Sequence, residues 1–92
     1  MRHRELSTFA RSLRRLPPED KARVKKAILQ FLQNIEGGAL PPGLGVKKLG
    51  ETLWELRAGL HLRVLFLMQG DLIEWGLVGS HADIRKFLRR IR

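Results

Sequence analysis

One histidine, two arginines and one glutamate in the second half of the chain have the chemistry and the spacing to act on a phosphate ester. His81 carries a side chain whose reference pKa, about 6.5, suits proton transfer near neutrality without a large shift. Arg57 and Arg63 end one alternating stretch and lie inside another, Leu53–Arg57 and Leu60–Met68. In extended chain, alternation sets Glu55, Arg57 and Arg63 on one face and Trp54, Leu56, Val64 and Phe66 on the other. A guanidinium fork matches two oxygens of a phosphate, and a neighbouring carboxylate serves either as a base or as the arginines' salt-bridge partner. Plainer readings stand beside these. Arg63 can be a strand arginine paired with Glu55 across a sheet, and His81 a residue that merely opens a helix. His61 shares the face of Arg63 but lies near a turn, and His3 stands apart.

The rest of the composition narrows the chemistry. There is no cysteine, so neither a disulfide framework nor a thiolate metal site is available. The three histidines show no ligand spacing, and no metal or other cofactor is expected. The net charge is +9, concentrated at the two ends. Residues 1–26 hold nine Lys/Arg against three acids, and residues 52–92 hold seven against four. A polyanionic partner (nucleic acid, the ribosome or an acidic protein) is the natural counterpart; an arginine-rich soluble protein is the bland one. At 92 residues the chain is read as one domain, 1–92. Its longest apolar run, Val64 to Met68, is far too short to cross a bilayer, and no apolar leader follows Met1. A soluble cytoplasmic protein without membrane association is expected.

The elements that must position these groups follow from periodicity. Leu6, Phe9, Leu13 and Leu16 recur at helical spacing, with Ser7 or Thr8 as N-cap. Pro17-Pro18 ends that helix and opens a second one, whose stripe of Val24, Ile28, Phe31 or Leu32, and Ile35 runs to Gly37-Gly38. Residues 37–46 read as a Gly/Pro-rich loop, placing Lys47 and Lys48 just before the sheet. Three strands follow, Leu53–Arg57, Leu60–Met68 and Leu72–Val78. A last helix starts near Ala82, with Ile84, Phe87, Leu88 and Ile91 inward and Arg85, Lys86, Arg89, Arg90 and Arg92 outward. The fold class is α+β: a two-helix hairpin, an antiparallel sheet of three to four strands and a C-terminal helix, with the helices on one sheet face.

That order resembles the RelE/ParE superfamily of small bacterial toxins. The resemblance is carried by Lys48-Leu49-Gly50, Leu53-Trp54-Glu55-Leu56-Arg57, Arg63-Val64-Leu65-Phe66 and Gly79-Ser80-His81 before a basic helix, with a Leu16-Pro17 step ending the first helix. It spans nearly the whole chain, and its specificity lies in the order and spacing of the pieces. Two departures stand out. Members usually begin with a strand of several residues, and here only Met1 to Glu5 precedes the first helix, so that strand is expected to be short or missing. Ribosome-dependent members often use a C-terminal tyrosine and several sheet lysines. This chain has no tyrosine, Phe87 stands roughly where one is expected, and Leu53 and Glu55 occupy positions where some members carry lysine.

The resemblance implies the toxin of a toxin–antitoxin pair, a metal-independent endoribonuclease that cleaves mRNA on the ribosome through the RNA's own 2′-hydroxyl. Such cleavage needs a base for the 2′ proton, a cation for the phosphate and an acid for the leaving 5′ oxygen. Arg63 resembles the arginine assigned to the scissile phosphate, His81 falls where the family places a catalytic His or Arg, and Arg57 and Glu55 complete the candidate catalytic set. Lys47, Lys48, Arg85, Lys86 and Arg89 are the candidates for RNA and ribosome binding; each also reads as an ordinary solvated cation. Trp54 and Trp75 can stack on bases or belong to the core. The implied partners are a cognate antitoxin, the ribosome and mRNA, with a higher-order toxin–antitoxin assembly compatible. The alternative is a ParE-like inhibitor of DNA gyrase, or a catalytically degenerate antitoxin-binding module.

Overall fold

A computed structural model describes residues 1–38 and 45–91. The elements run β1 (Arg2–Glu5), α1 (Ser7–Arg14), α2 (Pro18–Glu36), β2 (Val46–Lys48), β3 (Leu53–Arg57), β4 (Arg63–Gln69), β5 (Leu72–Gly79) and α3 (His81–Arg90). The helical hairpin, three central strands and C-terminal helix are those the periodicity predicts, except that β4 begins at Arg63 and not at Leu60, because Leu60 to Leu62 complete the turn that the Ala58 amide closes on the Leu62 carbonyl. The sheet is larger than expected, five strands in the order β1-β5-β4-β3-β2. It is mixed, because β1 pairs parallel to β5 while the other pairs are antiparallel.

The two additional strands are short edge strands. All four residues of β1 are exposed, so no apolar alternation announces it. Its pairing with β5 is reinforced by ion pairs from Arg2 to Asp71 and from Arg4 to Glu74. The expected missing or reduced first strand is thus a four-residue strand. At the other edge, Val46–Lys48 pairs with β3, so Lys47 and Lys48 belong to the sheet. Most of the predicted loop before them, 39–44, lies outside the described residues.

One face of the sheet carries the main core. Phe9 of α1, Val24 and Phe31 of α2, and Leu56, Val64, Phe66, Ile73 and Trp75 of the sheet are all essentially inaccessible. Phe31, Phe66 and Trp75 form an aromatic cluster with centroids 5.0 to 6.0 Å apart. A bulge opposite Leu65/Phe66 leaves Gly76 without a register partner, and the Gly76 carbonyl accepts the Thr8 hydroxyl, which ties α1 to β5.

The third helix corrects the expectation that all helices share one sheet face. Leu65 and Ile84 are buried, at 2% exposure each, yet neither belongs to the main core cluster. Leu65 alternates away from Val64 and Phe66, and α3 packs against β4 and β5. The sheet is therefore covered by α1 and α2 on one side and partly by α3 on the other. Of the four apolar residues predicted inward on α3, Ile84 is buried, Phe87 and Leu88 are half-buried, and Ile91 is exposed. The N-termini differ too. α1 begins after Leu6 without a side-chain cap, whereas Ser80 and Asp83 make a reciprocal capping box on α3.

Candidate functional site

The sheet face opposite α1 and α2 is left open beside α3, and the site lies there. Strand alternation directs Lys47, Glu55, Arg57 and Arg63 to this face. Register places them close together: Lys47 is the cross-strand partner of Glu55, and Arg57 that of Arg63. The chain reaches the same place again at the end of β5, where Gly79 is the partner of Arg63. Two residues later His81 begins α3. Lys47, Glu55, Arg57, Arg63 and His81, with Gly45, line one cleft of about 130 Å³.

Two glycines make this convergence sterically possible. A Cβ at Gly79 would stand 2.8 Å from the Cβ and the Oδ2 of Asp83, so glycine lets the first turn of α3 fold tightly over the strand end. The capping box then fixes that turn: the Asp83 amide donates to the Ser80 Oγ at 3.1 Å, and the Ser80 amide donates to Asp83 Oδ2 at 2.9 Å. The bond from the Ser80 amide above all, and the Ser80 hydroxyl second, hold the Asp83 carboxyl below its usual value of 3.8. Because Ser80 is the cap, His81 is not engaged as one and its imidazole is exposed. Gly45 has φ +76, and a Cβ there would lie 2.8 Å from the Cβ of Arg57. Its carbonyl accepts the Arg57 amide at 2.9 Å.

The electrostatics of the cleft are unbalanced. Three cationic side chains line it against one carboxylate. Glu55 is 8% exposed, the only buried charged residue among those described, and is paired through Oε1 with Arg63 Nε at 2.9 Å. The cross-strand pairing anticipated as the plainer role of Arg63 is therefore present. Binding through Nε leaves part of the guanidinium for an anion, and Nη1 makes only a long bond, 3.4 Å, to the Leu62 carbonyl. Arg57 and Lys47 are exposed and make no ion pair among the described residues. Such a cluster, with an imidazole at its mouth, can hold an anionic oxygen pair and exchange a proton beside it.

Other predicted residues lie elsewhere. Lys48 alternates to the opposite face, with its Nζ 5.6 Å from the Trp54 ring centroid. Arg85, Lys86 and Arg89 are exposed on α3 and do not line the cleft. Lys86 and Phe87 instead line a hollow between α1 and α3 with Ser12, Arg15 and Arg90. Phe87 thus stands outside the cleft. Trp75 belongs to the core, and Trp54 is half-buried against it. The most apolar hollow, about 380 Å³ between α1, α2 and β1, contains none of the predicted site residues. Among the described residues no three His, Asp or Glu side chains converge as metal ligands, and no helix is long and apolar enough to cross a membrane.

Neither a protein-family model nor a curated protein sequence matches the chain. Solved structures do. The RelB–RelE antitoxin–toxin complex of Methanococcus jannaschii matches with a TM-score of 0.69 at 21% identity, over 90% of this chain and 95% of that one. The Escherichia coli DinJ–YafQ complex matches with a TM-score of 0.66 at 13% identity, over 91% and 98%. The RelBE2 toxin–antitoxin complex of Mycobacterium tuberculosis matches with a TM-score of 0.55 at 21% identity, over 87% and 96%. The architecture is the RelE-like toxin fold.

Proposed function

We propose that this RelE-like domain is the toxin of a toxin–antitoxin pair and cleaves mRNA on the ribosome without a metal. The observation that carries the reading is the cleft in which Arg57, Arg63 and Lys47 surround a single carboxylate with His81 beside them. In the reaction the RNA 2′ oxygen attacks the adjacent phosphorus, and the bond from phosphorus to the 5′ oxygen breaks. A 2′,3′-cyclic phosphate and a 5′-hydroxyl remain. Arg63, oriented by Glu55 through the 2.9 Å ion pair, and Arg57 meet the charge that builds on the phosphate oxygens. His81, exposed at the start of α3 and lining the same cleft, donates the proton to the departing 5′ oxygen. The 2′ proton passes to Glu55 or to water. Few groups suffice because the ribosome supplies the RNA already bent toward in-line attack.

The partners in this reading are the ribosome, mRNA and a cognate antitoxin whose acidic segment covers the basic surface. The similar solved structures named above are themselves antitoxin–toxin complexes. The chain contains no tyrosine, which favours the second reading, a gyrase inhibitor without chemistry of its own. One experiment separates them. The chain is induced in bacteria, and RNA 5′ ends are mapped on translating ribosomes. New cuts within A-site codons, absent with Arg63→Ala, are the expected result; growth arrest with intact mRNA and stalled gyrase overturns it.

A further inference from the structure

The cleft does not end at Arg57. A second, larger hollow of about 480 Å³ is lined by Arg57 and Gly45 as well, together with Arg23, Lys26, Gln30 and Leu60. Its α2 residues belong to the helical layer, so the two hollows meet around the end of β3, at the rim of the sheet. Gly45 keeps that junction open, since a side chain there would collide with Arg57.

Charge and exposure single out this hollow. Its lining contains three cations and no acid. Arg23 is partly occupied by Asp20 at 2.8 Å, but Lys26 and Arg57 make no ion pair among the described residues. Leu60, at its lip, is 87% exposed, the most exposed large apolar residue described. It is held out by a closed turn, in which Gly59 has φ +88 and the Ala58 amide donates to the Leu62 carbonyl at 2.9 Å. A solvated helix face explains a lone lysine, and a lone exposed leucine needs no explanation. Unpaired cations and an apolar lip on one hollow, which shares Gly45 and Arg57 with the cationic cleft, match the alternation of phosphate and ribose or base along single-stranded RNA.

We propose that this hollow is a second RNA subsite: Lys26 binds the phosphate next to the cleaved one, Arg57 stands at the junction between the two, and Leu60 packs on the flanking ribose or base. The inference rests on the RNA-cleavage reading and extends it to residues of α2 and the β3–β4 turn. Lys26 and Leu60 are positioning residues that touch no reacting atom.

The test is binding of a short, uncleavable 2′-O-methyl oligoribonucleotide, followed by fluorescence anisotropy across a salt series. Each phosphate contact contributes roughly 0.7 to the slope of log affinity against log salt for single strands. Lys26→Ala is expected to lower that slope by about 0.7 and to weaken binding roughly three- to tenfold at moderate salt. Leu60→Ser is expected to weaken binding about threefold with the slope unchanged. Lys25→Ala removes the same charge from the neighbouring position, which lines the apolar hollow instead, and should match wild type. Binding by Lys26→Ala and Leu60→Ser indistinguishable from Lys25→Ala overturns the subsite, as does a wild-type chain without salt-dependent binding. Mapping cleavage in parallel keeps the two readings apart. Cuts that persist unchanged in Lys26→Ala remove the subsite alone; Lys26-dependent binding without cuts removes the cleavage reading and leaves the subsite.

Discussion

Replacing Arg63 with alanine should separate catalysis from stability, and the ion pair allows both effects to be sized. Arg63 Nε and Glu55 Oε1 lie 2.9 Å apart, with side chains 19% and 10% exposed. Removing one partner of a fully buried pair costs about 3–5 kcal/mol, whereas an exposed pair contributes roughly 0–1. Here the abandoned carboxylate keeps Lys47 and Arg57 as neighbours in the cleft, so the expected loss for Arg63→Ala is about 2 kcal/mol. Glu55→Gln, which can still hydrogen-bond the guanidinium, should lose about 1. The double variant should recover part of the sum, giving a coupling of about 1 kcal/mol by urea denaturation of the four proteins at constant m-value. A domain of at least about 5 kcal/mol then remains more than about 99% folded in Arg63→Ala. Its cleavage rate should nonetheless fall about 10²–10³-fold, the typical effect of losing one charge-stabilising donor. A coupling below about 0.3 kcal/mol would show that the pair is energetically idle. Undiminished cleavage by the folded variant would refute the assignment of Arg63 to the phosphate.

Three further outcomes follow from the geometry around α3. His81→Gln should reduce single-turnover cleavage of ordinary RNA about 10²-fold while sparing a substrate whose leaving 5′ oxygen is replaced by sulfur, which departs without a proton; an equal loss on both substrates shows that the imidazole does not protonate the leaving group. Gly79→Ala, whose Cβ would lie 2.8 Å from the Asp83 Cβ, should force the first turn of α3 outward. A reduced rate together with a stability loss of about 1–3 kcal/mol, the usual cost of overpacking, is the expected signature, and an unchanged rate shows that the tight turn is dispensable. Asp83 is held below its ordinary 3.8 chiefly by the Ser80 backbone hydrogen bond. Its contribution is therefore fully present above the unfolded value and is lost as pH falls through the lower folded value. Asp83→Asn should accordingly be less stable than wild type at pH 7, by on the order of 0.5 kcal/mol for so exposed a group, with the difference shrinking below about pH 4. A gap that persists in acid would exclude the carboxylate's charge as its cause.

How much of this was legible in the residues depends on which force shapes each part. Leu53–Arg57 and the later strands bury one face, so alternation reveals them and predicts that Glu55, Arg57 and Arg63 share a surface. β1 is formed by backbone pairing and by the Arg2–Asp71 and Arg4–Glu74 contacts, which leave no hydrophobic period to read. β2, three residues after a Gly/Pro-rich stretch, is equally silent, and so Lys47 reads only as an exposed lysine before the sheet. The stripe on α3 announces a helix with an apolar side but does not say which face of the sheet it meets. That choice, unreadable from Ile84, Phe87 and Leu88, is what brings His81 beside Arg63 and leaves Phe87 elsewhere. At the proposed second subsite the residues carry no distinct signal, since Lys26 is one of many cations and Leu60 reads as the start of a strand.

The charge pattern explains why such a domain would carry a cost in its free state. Arg57 stands directly opposite Arg63 across the β3–β4 pair, an arrangement that costs roughly 0.2–1 kcal/mol relative to a neutral pair, and Lys47 adds to it. Glu55 relieves only one of these cations through a direct ion pair. A polyanion entering the cleft would relieve the remainder, so repulsion in the free domain becomes part of the affinity for phosphate. By the same logic Arg57→Leu should stabilise the isolated domain slightly while weakening RNA binding, because opposite changes in the two quantities distinguish a functional cluster from a structural one. If Arg57→Leu instead lowers stability and leaves binding unchanged, the arginine is a structural element of the sheet rim and the proposed path from the cleft into the second hollow loses its junction.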